Sequence, residues 1–123
     1  MWAGIIFGLS SLHGSVIPNV NVPSADKLVH IVIYGVLGAL TSWALTNPAH
    51  PARSVPRLVL GAVLIATVYG LSDEVHQWFV PGRSADPLDL AADFVGSLLG
   101  SAVLTVAWHR RRAGAIIGRA GKE

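Results

Sequence analysis

Cysteine is absent from the 123 residues, which excludes a disulfide framework, a thiolate metal site and a thiol nucleophile. Charge is scarce as well: Asp, Glu, Lys and Arg make up 13% of a chain that is 52% hydrophobic, about half the charged share of an average soluble domain. A domain this small has a large surface for its volume, and this composition cannot cover it with polar groups. A soluble helical domain with an oversized core is the weaker reading. Compact catalytic signatures are missing too. There is no HExxH or comparable ligand motif, and Ser72 and Ser84 lack a nucleophile-elbow context, so neither a metal nor a cofactor is expected. The sequence pI of 9.5 suggests nucleic acid only until the basic residues are located. Seven of the nine fall in two short clusters flanking apolar runs, the pattern of a membrane protein's cytoplasmic side, and no nucleic-acid partner is expected.

What is present is a succession of apolar stretches divided by loop signals. Trp2–Ile17 reads as a first span, short for a bilayer that needs about 20 residues, with Gly4, Gly8 and Ser11 forming a small-residue face for a neighbouring helix. Pro18–Pro23 reads as a loop and Ser24 as a partial N-cap. Leu28–Thr46 is the second span, followed by a proline-rich loop carrying Arg53 and Arg57. Leu58–Phe79 is the third, broken by Pro81–Gly82. Asp86–Pro87, an N-cap with proline at the first helical position, opens the fourth, which runs to Trp108. The four Trp residues fall near span ends, where an aromatic belt is expected. The fold expected is an all-α, multi-span transmembrane bundle of four spans over residues 1–112. A basic tail, 113–123, follows it and is expected to be mobile beyond Gly114. Arg53, Arg57, Arg110, Arg111, Arg112, Arg119 and Lys122 lie on one side of such a bundle, against Lys27 and Arg83 on the other. The positive-inside rule then puts both termini in the cytoplasm and the acidic segment outside.

The polar residues within these spans follow helical spacing. Asp26, His30, Tyr34 and Gly38 share a face of the second span; Ala66, Gly70, Asp73 and Gln77, with Glu74 beside them, share one on the third; Asp89, Asp93, Gly96 and Gly100 line the fourth. Each face is polar at its outer end and small below. If the small residues pack together, the polar groups converge on one outward-opening pocket. Acids at a helix C-terminus oppose the macrodipole, so Asp73 and Glu74 need compensation, and Arg83 and Lys27 are the nearby cations. Asp93 needs a partner, with His30 or Tyr34 in reach. His76 is expected at the surface, and His13, His50 and His109 in solvent.

Two segments carry a resemblance. Asp26–Lys27–x–x–His30–x–x–x–Tyr34, and Asp73–Glu74–x–x–Gln77–x–Phe79–x–Pro81–Gly82–Arg83 followed by Asp89 and Gly96, resemble the two signatures of the VanZ-like membrane proteins. Order and spacing match over roughly Asp26–Gly100. The resemblance implies a small multi-span helical bundle in the bacterial cytoplasmic membrane and a link to resistance to the glycopeptide teicoplanin. The short first span, with no basic flank, departs from that pattern and leads us to expect that the natural chain starts before Met1.

Two functional readings remain open. In one, Asp26, Lys27, His30, Tyr34, Asp73, Glu74, Gln77, Arg83, Asp89 and Asp93 line a pocket that binds or acts on a cell-envelope ligand, such as the headgroup of a lipid-linked intermediate. Arg83 is then suited to phosphate or carboxylate, and His30, Asp73 or Glu74 could move a proton. In the other, the polar cluster fixes helix register in a non-catalytic accessory module. A proton-coupled transporter is a weaker third. The lipid bilayer is the partner common to all.

Overall fold

The computed structural model describes residues 1–13, 25–46 and 54–120, and the side chains among them up to 114. The expected Pro18–Pro23 loop, the Ser24 cap, His50 and Arg53 lie outside that range, as does Lys122; Arg119 is described only as backbone. Among the described residues four helices are present: α1 (Trp2–Ser10), α2 (Ala25–Leu45), α3 (Val55–Gln77) and α4 (Pro87–Ala120). Three of them are long and apolar enough to cross a membrane: α2, α3 and Pro87–Gly114 of α4. At 1.5 Å per residue, the 21 residues of α2 reach about 31 Å, the thickness of a hydrocarbon core.

The bundle is inside-out in its polarity. Ser42, Ser97, Ser101 and Thr105 are fully buried, whereas Val32, Leu60, Val68 and Val103 are among many large apolar side chains left exposed. In water that arrangement would be unstable, because it hides small polar residues and wets apolar ones; in lipid it is the expected one. The three serine hydroxyls remain satisfied inside their own helices, Ser42 donating to Ala39 O, Ser97 to Phe94 O and Ser101 to Leu98 O, whereas the Thr105 hydroxyl has no hydrogen-bond partner among the described residues.

The axis of the fold is the crossing of α2 on α4. Gly35 and Gly38 face Gly96, Ser97 and Gly100 so closely that the backbones touch. A Cβ on Gly96 would strike Ile31 O, one on Gly38 the Ser97 backbone, and one on Gly100 the Gly35 carbonyl. The GxxxG stripe thus does what its spacing predicts. α3 closes the triangle through Ala62 and Ala66, both fully buried.

The first span differs from expectation. In the described residues α1 is nine residues long, about 13 Å or less than half a bilayer, and it ends where Ser10 and Ser11 both turn their hydroxyls onto Phe7 O. Among the described residues, then, α1 is not long enough to cross a membrane and three helices are, while residues 14–17 of the expected first span lie outside the described range. α1 lies along α2 and α3 through Trp2, Ile6 and Ser10. The Trp2 indole donates to Ile33 O (3.0 Å) and the Tyr69 hydroxyl to Ala3 O (2.6 Å). This face is opposite the one expected: Gly4 and Gly8 meet nothing. Trp2 is accordingly a packing residue rather than part of an aromatic belt, while Trp43 and Trp78 are exposed near helix ends as that belt requires.

Two boundaries also move. α3 begins at Val55, taking in Arg57, because Pro56 sits in the first turn, where its missing N–H costs nothing. α4 continues as helix to Ala120, six residues past Gly114, where a mobile tail was expected. Along it the Arg112 guanidinium lies over the Trp108 ring (4.6 Å) and His109 pairs through Nδ1 with Thr105 O.

Candidate functional site

The polar ends of α2, α3 and α4 meet at one end of the bundle. The segment between α3 and α4 turns tightly there, with Gly82 at φ 76°, a left-handed conformation that suits glycine. The turn sends Arg83 back over the end of α3. Asp86 then caps α4, accepting from the Leu88 N–H (2.9 Å).

Three connected groups make up the site. In the first, the Lys27 ammonium reaches Asp26 (2.9 Å), Asp86 (2.5 Å) and Asp89 (2.6 Å), tying the start of α2 to the start of α4. In the second, the Gln77 amide is held at both ends: Nε2 donates to Asp73 Oδ2 (3.2 Å), and Oε1 accepts from Arg83 Nη2 (2.6 Å). Asp73 thereby orients the amide, and the amide aims the guanidinium. In the third, His30 Nδ1 meets Asp93 Oδ1 at 2.8 Å, while its Nε2 stands 3.8 Å from Asp89 Oδ2. An ionised Asp93 can only accept, so Nδ1 donates and Nε2 is left facing the carboxylates.

Glu74 closes the set. Its Oε2 accepts from the Asp86 N–H (2.8 Å), while its Oε1 is buried with no hydrogen-bond partner among the described residues, as are Asp93 Oδ2 and the Tyr34 hydroxyl. Gly70 makes room for this layer, because a Cβ there would lie 2.7 Å from Asp93 Oδ2 and 3.2 Å from Tyr34 Cε1.

All ten residues expected at the site lie in this cluster, and Asp73, Glu74, Gln77, Asp89, Asp93 and Tyr34 are buried. The compensation differs from expectation. Lys27 serves Asp26, Asp86 and Asp89, and Arg83 serves Gln77; Asp73 and Glu74 are held by an amide and a backbone N–H instead. Of the two candidates for Asp93, His30 is the partner and Tyr34 is not. His76 does turn away from the cluster, but it is not at a free surface: it stacks on Phe7 (4.7 Å) and its Nε2 pairs with Ser11 Oγ (3.0 Å).

Two features escaped the sequence reading. Asp86 was assigned only a capping role, yet it also holds Lys27 and positions Glu74. Its carboxyl, outside the spans, is kept below the ordinary carboxylate range, first by Lys27 and then by the Leu88 N–H. The second is α1, which, with Leu12 just beyond it, supplies Ile6 and Leu9 to the lining of a cavity of about 520 Å³. His30, Tyr34, Asp73, Gln77 and Arg83 line the same cavity, so its surface is part apolar and part polar.

Over residues 3–108 the chain matches the family model described as VanZ/LLP1. It is also 28% identical over 95 residues to an uncharacterised protein, C11E3.10, of the fission yeast Schizosaccharomyces pombe, an alignment covering 77% of this chain and 55% of the relative. The chain therefore spans about half the length of that relative. No solved structure matches it. With the family model covering nearly all of the helical bundle, and the two signature segments forming its polar end, this chain is an integral membrane protein of the VanZ/LLP1 family.

Proposed function

We propose that the polar end of the bundle binds the anionic headgroup of a membrane amphiphile, a lipid or a lipid-linked envelope intermediate, from the outer face of a bacterial cytoplasmic membrane. The observation that carries this reading is the mixed lining of the cavity. An amphiphile needs apolar surface for the start of its chain and polar groups for its head, and Ile6, Leu9, Leu12 and Ile33 line the cavity together with His30, Gln77 and Arg83. Arg83 is the one guanidinium lining the cavity among the described residues, and its planar fork suits phosphate or carboxylate. The relay from Asp73 through Gln77 fixes where that fork points.

The test is a mass-spectrometric inventory of lipids retained by the purified protein, run beside a thermal melt on the same samples. Arg83 is half-buried on a turn, so Arg83→Gln should melt close to wild type yet lose the co-purifying anionic lipid, and Asp73→Asn should lose it too. Full retention in both variants would end the ligand reading. It would leave the cluster as a device for helix register, which the bridging of α2 to α4 by Lys27 favours.

The outer-face placement is supported by the basic residues near the far end, Arg57, Arg110, Arg111 and Arg112. The chain has no cysteine, so single substitutions report cleanly. Ser84→Cys should react with an impermeant thiol reagent in intact cells and Ala113→Cys should not. The reverse pattern would turn the pocket to the cytoplasm.

A further inference from the structure

We propose that His30, Glu74 and Asp89 form a three-ligand site for a divalent cation of the Zn²⁺ or Mn²⁺ class at the floor of the cavity. This goes beyond the headgroup reading, does not depend on it, and departs from the sequence expectation of no metal. That expectation rested on the lack of a compact ligand motif. Here the donors come from three helices, one each from α2, α3 and α4, and no spacing along the chain could reveal them.

Three observations carry the proposal. One ring nitrogen and one carboxylate oxygen from each acid lie within 4.8 Å of one another. Ligands about 2.1 Å from a common ion stand roughly 3–4 Å apart, so the trio needs a contraction of about an ångström at most, within reach of carboxylate rotation.

The second observation is the orientation of His30. Its Nδ1 is engaged by Asp93 Oδ1 at 2.8 Å, with Asp93 almost wholly buried. A carboxylate behind a histidine in this way fixes the ring and the tautomer, and leaves Nε2 as the free donor; metal-ligating histidines are held in this manner. Nε2 is 3.8 Å from Asp89 Oδ2, too far for a hydrogen bond and suited to two ligands flanking one ion.

The third observation is Glu74 itself. It is 5% exposed, and Oε1 has no hydrogen-bond partner among the described residues. A carboxylate oxygen left so in a buried site is expensive, and a cation held jointly with His30 and Asp89 would satisfy it. The charges are consistent with this. Lys27 is already balanced by Asp26 and Asp86 and takes only Oδ1 of Asp89, leaving Oδ2 toward His30. By contrast, the other acidic trio, Asp26, Asp86 and Asp89, has the Lys27 ammonium in its middle and is no cation site.

The ligand set selects the metal class. One imidazole with two carboxylates suits Zn²⁺ or Mn²⁺ better than Ca²⁺ or Mg²⁺, which favour oxygen alone. Three protein ligands leave a coordination position open toward the cavity.

The experiment titrates Zn²⁺ and Mn²⁺ into chelator-treated, detergent-purified full-length protein, reading calorimetric heat and the shift in melting temperature. Wild type should bind one ion per chain and melt higher with it. Glu74→Gln and His30→Gln should weaken binding by roughly 100-fold or more. Asp93→Asn, acting through the ring, should weaken it by about 10- to 100-fold, and His109→Gln, on α4 away from the polar end and paired there with Thr105 O, should bind as wild type does. Absence of binding by wild type, or wild-type affinity in Glu74→Gln, would overturn the site. If a variant melts too low to titrate, the wild-type stoichiometry and the Asp93→Asn comparison still decide. Arg83→Gln separates the two readings, since it should keep the ion while losing the lipid.

Discussion

Gly100→Leu should prevent the bundle from assembling, and Gly100→Ala should already weaken it severely. The first side-chain carbon at this position meets the Gly35 carbonyl oxygen, a backbone atom in the middle of α2 that no rotamer change can move aside. Relief requires α2 and α4 to separate, which unseats Ser97 and Ser101 and breaks the register that brings His30 to Asp93. Overpacking a well-packed interior costs about 1–3 kcal/mol where side chains can yield; here backbone must move, and we expect a loss of about 3 kcal/mol or more. Val103→Leu, at a position 71% exposed to the surroundings of the bundle, should change stability by less than about 0.5 kcal/mol. Melting in detergent, read beside the monodisperse fraction on gel filtration, compares the three. Equal stability for Gly100→Leu and Val103→Leu would mean that the α2–α4 crossing is not the axis of the fold.

That crossing was legible in the sequence because helical periodicity is strict. Gly96 and Gly100 lie four apart, as do Asp26, His30, Tyr34 and Gly38, so a face could be read before any partner was known. The same rule found Asp73, Glu74 and Gln77 on one side of α3, and burial agrees: these three are buried, while Val75, Trp78 and Phe79 beside them are exposed. Pairings across helices were not legible. Periodicity says which residues look inward but not at what height each helix crosses its neighbour, and that height sets whether Lys27 meets Glu74 or Asp86. The Glu74–Asp86 hydrogen bond is of this kind, since it depends on the path of the turn around Gly82.

α1 shows a different limit. Its composition is as apolar as a span, and hydropathy cannot distinguish a helix that crosses lipid from one that covers half a bundle. The signals that end it are local: Ser10 and Ser11 competing for the Phe7 carbonyl, and glycines at 4 and 8 that contribute little to helix stability. Its packing face is set by the aromatic Trp2 and by Ile6, which bury more area than the glycine face could. One consequence is functional. A helix that reaches only from the level of Ile33 and Tyr69 to that of His76 contributes Ile6 and Leu9 to the lining of the cavity.

Lys27→Met should be the most damaging substitution at the polar end, and the manner of its failure reports on the whole site. The ammonium is the shared partner of Asp26, Asp86 and Asp89; its removal leaves three carboxylates close together with no counter-charge. Breaking a buried ion pair by deleting one partner costs about 3–5 kcal/mol. Lys27 is 20% exposed and Asp26 61%, so solvent screens part of this, and we expect about 2–3 kcal/mol. Asp89→Asn added to Lys27→Met should recover a third or more of the loss, because a neutral amide relieves the repulsion, whereas unrelated lesions would simply add. Acid titration supplies the sign. Lys27 and the Leu88 N–H hold the Asp86 carboxyl below its ordinary range, so in wild type its contribution is complete above the unfolded value near 3.9 and is lost only as pH falls through the lower folded value. Without Lys27 the folded value rises toward the unfolded one, that contribution shrinks at every pH above it, and the acid limb of the melting curve should begin at higher pH. A Lys27→Met protein as stable and as acid-resistant as wild type would show that the three carboxylates are held by the turn and the starts of α2 and α4 alone, and that Lys27 is free to serve a ligand instead of the fold.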